Sequence, residues 1–306
     1  MKNLPTTPSY NRAFWNYQRG RDYDTADLNT SIRGKDAVGY FLPNESEVQF
    51  RAEQEKMNIF RQIGRILFTE SNDKKIKNVL PSGGAAFVGE GEAIPEMDAD
   101  IATYAVGAYK VAKITKLPTE LVRDAGFDIE GALAADFGRE FGKVEENACL
   151  NGSGVGQPHG LLHPTEGAEI GATVSGAIGF DDIKALYFSL GAEYRWNAVW
   201  LMSDETALHL RTLKDGEGNY LWCDSDDSIL GKAMFTSPFM PDSASGNMPV
   251  LFGDFRFYWL LERGGVVLKA LHEKYAVQGI TAFIGTAFID GRLVRREAVK
   301  ALAVRA

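Results

Sequence analysis

From Asp128 to Leu162 the chain reads DIEGALAADFGREFGKVEENACLNGSGVGQPHGLL, a long amphipathic stretch that runs without interruption into a glycine-rich elbow. Ile129, Leu133, Phe137, Phe141, Val144 and Ala148 recur at steps of four and three, the spacing that lines side chains along one face of a helix. Asp136, Arg139, Glu140, Lys143 and Glu146 are expected on the opposite, solvated face. Asp128 is placed to cap the start. Asn151 and Gly152 are placed to end the helix, since both residue types tolerate the left-handed conformation common at helix termini. At 1.5 Å per residue such a rod is roughly 33 Å long, the width of a small domain. A helix of this kind serves as a spine on which other elements hang. The elbow that follows carries Gly152, Gly154, Gly156, Pro158 and Gly160.

The rest of the chain sorts around this spine. Residues 1–42 scatter Phe14, Trp15, Tyr17, Tyr23, Tyr40 and Phe41 among prolines and charges with no period long enough for a core, and read as an arm that docks on another surface. Asn44, three residues before Glu47, is a candidate helix cap, and Arg65 to Thr69 is a short strand. Glu70 to Asp100 reads as a long hairpin, with IKNVL facing AAFVGE across Pro81-Ser82-Gly83-Gly84. Ile101 to Leu117 is extended, with Tyr104, Val106, Ala108, Ala112 and Ile114 on one side. Beyond Leu162 helices are expected at Asp181 to Leu190, after Ser203 and at Phe255 to Leu261. Strands are expected at Ala198 to Met202, Pro249 to Phe252 and Val266 to Ala270, with a glycine turn at Asp215 to Asn219. Val277 to Ile289 and Leu293 to Val304 are extended and split by Asp290-Gly291, a hairpin signal.

Catalytic readings find little support. GSGVGQPHG at 152–160 has glycines after a helix, the reverse of the strand-glycine-helix order of a phosphate loop. His159 and His163 are flanked by Pro158 and Pro164 and have only Glu166 as a possible third metal ligand. Cys149 lies inside the helix between Ala148 and Leu150, a packing environment, and Ser203-Asp204-Glu205 reads as a helix start. Two cysteines are too few for a disulfide framework. No cofactor or metal site is expected, nor an enzyme.

Several segments, in order, resemble the major capsid proteins of tailed bacteriophages, the Hong Kong 97-type fold. These are Arg12-Ala13-Phe14-Trp15-Asn16-Tyr17, Gly39-Tyr40-Phe41-Leu42-Pro43, Lys116 to Asp124, the spine with LNGSGVGQPHGLL, Leu213 to Trp222, and Gly253-Asp254-Phe255. Pro118 stands where the family usually has serine. The resemblance implies an α+β fold with an N-terminal arm (1–42), an extended loop (70–100), a peripheral domain (43–69, 101–160 and 276–306, its spine helix at 128–150) and an α/β axial domain (161–275). It also implies that Lys74, Lys75, Lys77, Gly83, Gly84, Phe87 and Glu90 belong to a loop lying across a neighbouring subunit. Some relatives join a loop lysine to a neighbour's asparagine with a glutamate's help. VQGITAFIGTAFI at 277–289, where those partners would fall, has neither residue, so noncovalent contacts are expected here.

By the same resemblance the chain pairs with itself in pentamers and hexamers that close into an icosahedral shell. Portal, scaffolding and maturation protease proteins would be its partners, and packaged double-stranded DNA its contents. An encapsulin-like protein compartment is the alternative. The net charge of -8 opposes general affinity for phosphate backbones, so contact with DNA would carry no sequence specificity. There is no signal segment and no apolar run of membrane-spanning length, so assembly in a host's cytoplasm, ending in the virion and touching no membrane, is expected.

Overall fold

The computed structural model describes residues 7–29, 40–69, 74–80, 87–88, 100–124, 126–222 and 228–305. At its centre the spine helix runs Ile129–Asn151, and the Asp128 carboxylate accepts the Gly131 N–H at 3.0 Å, the cap read from the sequence. Ile129, Leu133, Phe137, Phe141 and Ala148 are buried as expected. Val144 is not: it stands 52% exposed. The buried track continues from Phe141 in steps of four, through Glu145 to Cys149, because a second helix, Asn44–Met57, crosses that side. Two glycines allow the crossing. A Cβ on Gly138 would meet the Phe50 carbonyl oxygen at 2.5 Å, and one on Gly142 the Gln54 oxygen at 2.8 Å. Pro43, not Asn44, holds the cap position of the crossing helix, and no side chain caps it.

The other flank of the spine lies on a five-stranded sheet ordered Tyr40–Phe41, Tyr258–Leu271, Ile280–Leu293, Tyr109–Pro118, with Arg65–Thr69 running parallel beside Tyr258–Leu271. Gly285 leaves room for the Phe137 ring, since a Cβ there would sit 2.7 Å from it. Three expectations are corrected. Phe255 to Leu261 is not helical: a single 3-10 turn, Phe255–Phe257, leads into the strand Tyr258–Leu271. Asp290-Gly291 is not a turn but lies inside the strand Ile280–Leu293, whose hairpin closes over residues 272–279. In Tyr109–Pro118 the residues toward the core are Val111 and Leu117, while Ala112 and Ile114 face out.

The arm is corrected as well. Pro8–Gln18 is a helix whose Tyr10, Phe14 and Trp15 join the core formed by the chain's own spine and sheet. Tyr10 donates to the Phe41 carbonyl at 2.7 Å, and Gln18 brackets the sheet strand by donating to Leu268 O at 3.1 Å and accepting from Ala270 N at 2.7 Å.

A second, six-stranded sheet is ordered Glu169–Ser175, Val299–Arg305, Val250–Gly253, Val199–Met202, Lys232–Thr236, Ser228–Ile229. The helices Phe180–Ser189 and Asp204–Arg211 flank it, and Ser203 caps the latter by accepting the Thr206 N–H at 3.2 Å. The expected division at residue 276 does not follow the sheets. Tyr258–Leu271 belongs to the first sheet and Val299–Arg305 to the second, because each strand takes the partners that bury its apolar residues. A third, two-stranded ribbon pairs Lys74–Leu80 with Asp100–Val106. The strand paired with IKNVL is therefore Asp100–Val106, while of AAFVGE only Phe87 and Val88 are described, both exposed, and the rest lies outside the described residues.

Candidate functional site

The arrangement that most constrains this chain is at the foot of the spine helix, where the track of apolar residues gives way to carboxylates. Glu145 and Glu146 are both buried. Arg61, on the short helix Phe60–Ile63, donates through Nε to one Glu145 oxygen at 2.6 Å and through a terminal nitrogen to the other at 2.8 Å. The same terminal nitrogen reaches Glu262 of the strand Tyr258–Leu271. Gln54 at 3.0 Å and Asn58 at 2.9 Å complete the donors to Glu145. Arg51 bridges Glu262 at 2.8 Å and Glu47 at 2.6 Å. Burial alone would raise Glu262, but Arg61 and Arg51 hold it below the usual carboxylate range. For Glu145 burial prevails over Arg61 and its pKa lies above the ordinary value. Glu146, expected on the solvated face, accepts from the Ile59 N–H at 2.9 Å and the Ser237 hydroxyl at 2.5 Å, tying the spine to the second lobe; burial raises its pKa.

The elbow is a knot of backbone hydrogen bonds. Gly152 donates to Ala148 O at 3.0 Å, Leu161 to Cys149 O at 2.8 Å and Leu162 to Leu150 O at 2.9 Å, so the outgoing chain satisfies carbonyls that a helix end leaves open. The helix therefore ends without a left-handed cap: Gly152 is extended, at φ -63° and ψ 136°. Gly160 is needed for close approach, since a Cβ there would lie 2.3 Å from Leu150 O, and Gly154 for its positive φ of 75°. Gly156 also has positive φ, at 71°. Pro158 O accepts from Gly154 N at 3.1 Å. Two tyrosines pin the elbow to the first sheet: Tyr109 donates to Gly154 O and Tyr258 to His159 O, each at 2.9 Å.

The structure thus brings together five of the six stripe residues and all the elbow residues, and separates Val144 from them. Lys74, Lys75 and Lys77 fall on the ribbon strand Lys74–Leu80 and Phe87 is exposed; Gly83, Gly84 and Glu90 lie outside the described residues. Arg61, Glu145 and Glu262 were not singled out by sequence. The available signal was Glu145 at four residues past Phe141, on the same face. The arrangement holds elements rather than reacts. Cys149 is buried, which pushes its thiol well up, and among the described residues no three or more His, Cys, Asp and Glu side chains are gathered to hold a metal. His159 and His163 have ring centroids 5.7 Å apart, and Glu166 pairs with Arg292.

The model of the phage capsid family matches residues 38–304, a span that includes the spine, the elbow and strands of both sheets. The chain belongs to the phage capsid family. Among relatives of this capsid-family chain, the "Probable major capsid protein gp17" of Mycobacterium phage L5 is 25% identical over 235 residues, 71% of either protein. Among solved structures, the capsid of an empty GTA particle is similar with a TM-score of 0.72 and 26% identity, over 82% of this chain and 90% of that one. The Microbacterium phage Oxtober96 structure shares the fold at a TM-score of 0.60 and 18% identity, over 92% and 99% of the two chains. The mixed helix-and-sheet fold of this family member is that of phage capsid structures. Its family match begins at residue 38, leaving the helix Pro8–Gln18 outside it.

Proposed function

We infer that this chain is the major capsid protein of a phage or prophage, and that its copies form pentamers and hexamers closing into an icosahedral shell around double-stranded DNA. The family match over residues 38–304 carries the reading. The physical character of the subunit supports it: its buried polar groups are spent on fixing the spine against two helices and a sheet, while the ribbon Lys74–Leu80/Asp100–Val106 forms a separate two-stranded sheet. Two strands alone are marginal in water, and contact with other copies would supply the missing surface. Phe87 is fully exposed and would be the loop residue to meet a neighbour.

Portal, scaffolding and maturation protease proteins are the partners such a shell requires, and the virion, assembled in a bacterial cytoplasm, is its place. An encapsulin-like compartment is disfavoured because the family model and the curated relatives are those of phages. Expression of the chain, followed by light scattering and electron microscopy of what forms, tests the reading. Capsomers or closed shells of uniform diameter are expected; a stable monomer from micromolar to millimolar concentration would overturn it.

A further inference from the structure

Where the crossing helix meets the first sheet, beside the carboxylate cluster, the ladder between Tyr258–Leu271 and Ile280–Leu293 is broken. Arg263 pairs with Phe288 and Val267 with Thr286, so Gly264, Gly265 and Val266 together face Ala287 alone. A bulge of this kind takes backbone groups out of the ladder. Gly264 holds a positive φ of 70° in it, and the Val266 carbonyl accepts the Leu42 N–H at 2.9 Å. Between the bulge and the crossing helix lies a small cavity. Phe50, Arg51 and Gln54 of the helix border it on one side, Glu262, the bulge and Ala287 on the other. It offers about 10 Å³ to the centre of a water-sized sphere, the room of roughly one molecule.

One of the lining side chains has an oxygen without a protein partner. Gln54 is 3% exposed, and among the described residues nothing donates to its Oε1. Reversing the amide does not help. Its Nε2 donates to the Glu145 carboxylate at 3.0 Å, and the turned group would set oxygen against oxygen. Buried polar atoms are in the large majority bonded to protein or to ordered water. We propose that the cavity holds one ordered water molecule, which donates to Gln54 Oε1 and bridges the crossing helix to the bulge. A buried water needs about two to four polar partners, and beside Gln54 the walls offer Arg51, Glu262 and the backbone of Gly264 and Gly265. A metal ion would also satisfy the oxygen, but Arg51 borders the cavity and Glu262 is already paired with Arg51 and Arg61, so the group called for is a neutral donor. The bridge carries the polar grip at the foot of the spine to the point where the sheet's own ladder fails.

The first test is a density map of the full wild-type chain, in crystals or in assembled particles, at a resolution that shows buried waters elsewhere in the core. A single peak about 2.7–3.2 Å from Gln54 Oε1 is expected. An empty cavity in such a map, a reversed Gln54 amide, or a peak with the shorter and more numerous contacts of a metal ion would each overturn the proposal. The second test is a pair of variants at Ala287, which lines the cavity and is buried in the same cluster as Phe50. Ala287→Ser brings in a hydroxyl that can take over the water's bond to Oε1. Ala287→Val fills the space with methyl groups and leaves the oxygen unpaired. With a water in place the serine variant keeps the higher urea midpoint, because an unmet buried acceptor costs more than the added methyl groups gain. In a dry cavity the order reverses, since the valine then fills a void, and that order would overturn the proposal as surely as an empty map. The map needs no variant, so it decides even where neither substitution folds.

Discussion

Replacing Arg61 by methionine asks whether the foot of the spine is held by charge pairing. The Arg61 side chain is 1% exposed, and its guanidinium joins Glu145 of the spine to Glu262 of the sheet. Methionine keeps much of the volume and removes the charge. Glu145 would retain Gln54 and Asn58, and Glu262 would retain Arg51, but two buried carboxylates would face each other. Removing one partner of a buried pair costs on the order of 3–5 kcal/mol, most of it the penalty of the charge left behind. Against a total stability of about 5–15 kcal/mol that is a large fraction. Adding Glu145→Gln removes the orphaned charge and should return at least about 1 kcal/mol, a coupling that only groups in contact show. The pH dependence has a definite sign. Without Arg61, burial and the facing Glu262 carboxylate raise the folded-state pKa of Glu145 further above its unfolded value, so the variant gains relative stability as pH falls and its deficit is largest above neutrality. Urea denaturation followed by circular dichroism, in conditions that keep subunits apart, measures all three quantities. A deficit below about 1 kcal/mol, or one that Glu145→Gln leaves untouched, would show that the cluster is not what fixes the spine.

Phe141→Ala, which removes a ring 2% exposed and in edge contact with Phe50 and Phe137, is expected to cost about 3–5 kcal/mol, while Val144→Ala stays within about 0.5 kcal/mol; equal losses in denaturation would contradict the assigned helix face. Glu146→Ala should cost about 1–3 kcal/mol by leaving the Ile59 N–H and the Ser237 hydroxyl without their acceptor, and a neutral result would return Glu146 to the solvated side. Burial raises Asp290 to about 6, above its unfolded value near 3.8, so its contribution is fully present below about pH 4 and lost as pH rises through about 6. Wild type should lose up to about 3 kcal/mol relative to Asp290→Asn between pH 4 and pH 7.5, and parallel stability profiles would refute the burial argument. Replacing residues 81–99 by a two-residue turn should leave circular dichroism and denaturation unchanged yet prevent closed shells in electron micrographs, and shells from that variant would remove the loop from assembly.

Features whose cause is local were legible in the sequence. Asp128 caps the spine, Ser203 caps its helix, and the acidic turn at Asp215 accepts the Glu217 and Asn219 amides, each within a few residues of the signal. What escaped depends on partners far along the chain. Asp-Gly reads as a turn in any short window, yet Asp290 is held in a strand because its carboxylate accepts the Gly107 N–H at 2.7 Å, and Gly291 because a Cβ would strike the Tyr258 hydroxyl at 2.5 Å. Glu146 reads as solvated, and Glu145 is not picked out, because helix periodicity weighs side chains by polarity, whereas Arg61 and Ser237 are 84 and 91 residues away. The arm was misread for the same reason: Tyr10, Phe14 and Trp15 have no core of their own, and the one they join is made by the spine and by strands some 250 residues later.

The placement of these charges explains why the spine does not end in more leucine. Apolar contacts are non-directional, so they constrain the angle between spine and sheet only through shape. A carboxylate gripped through both oxygens by one guanidinium has a single favourable geometry, and Arg61 ties that geometry to Glu262 on the sheet while Gln54 and Asn58 tie it to the crossing helix. In the shell proposed for this chain, a fixed angle between spine, crossing helix and sheet would let copies meet in the same way. The apolar residues supply the larger share of stability, and on this argument the buried carboxylates join the close fits at Gly138, Gly142 and Gly285 in fixing the register, which the Arg61→Met variant tests.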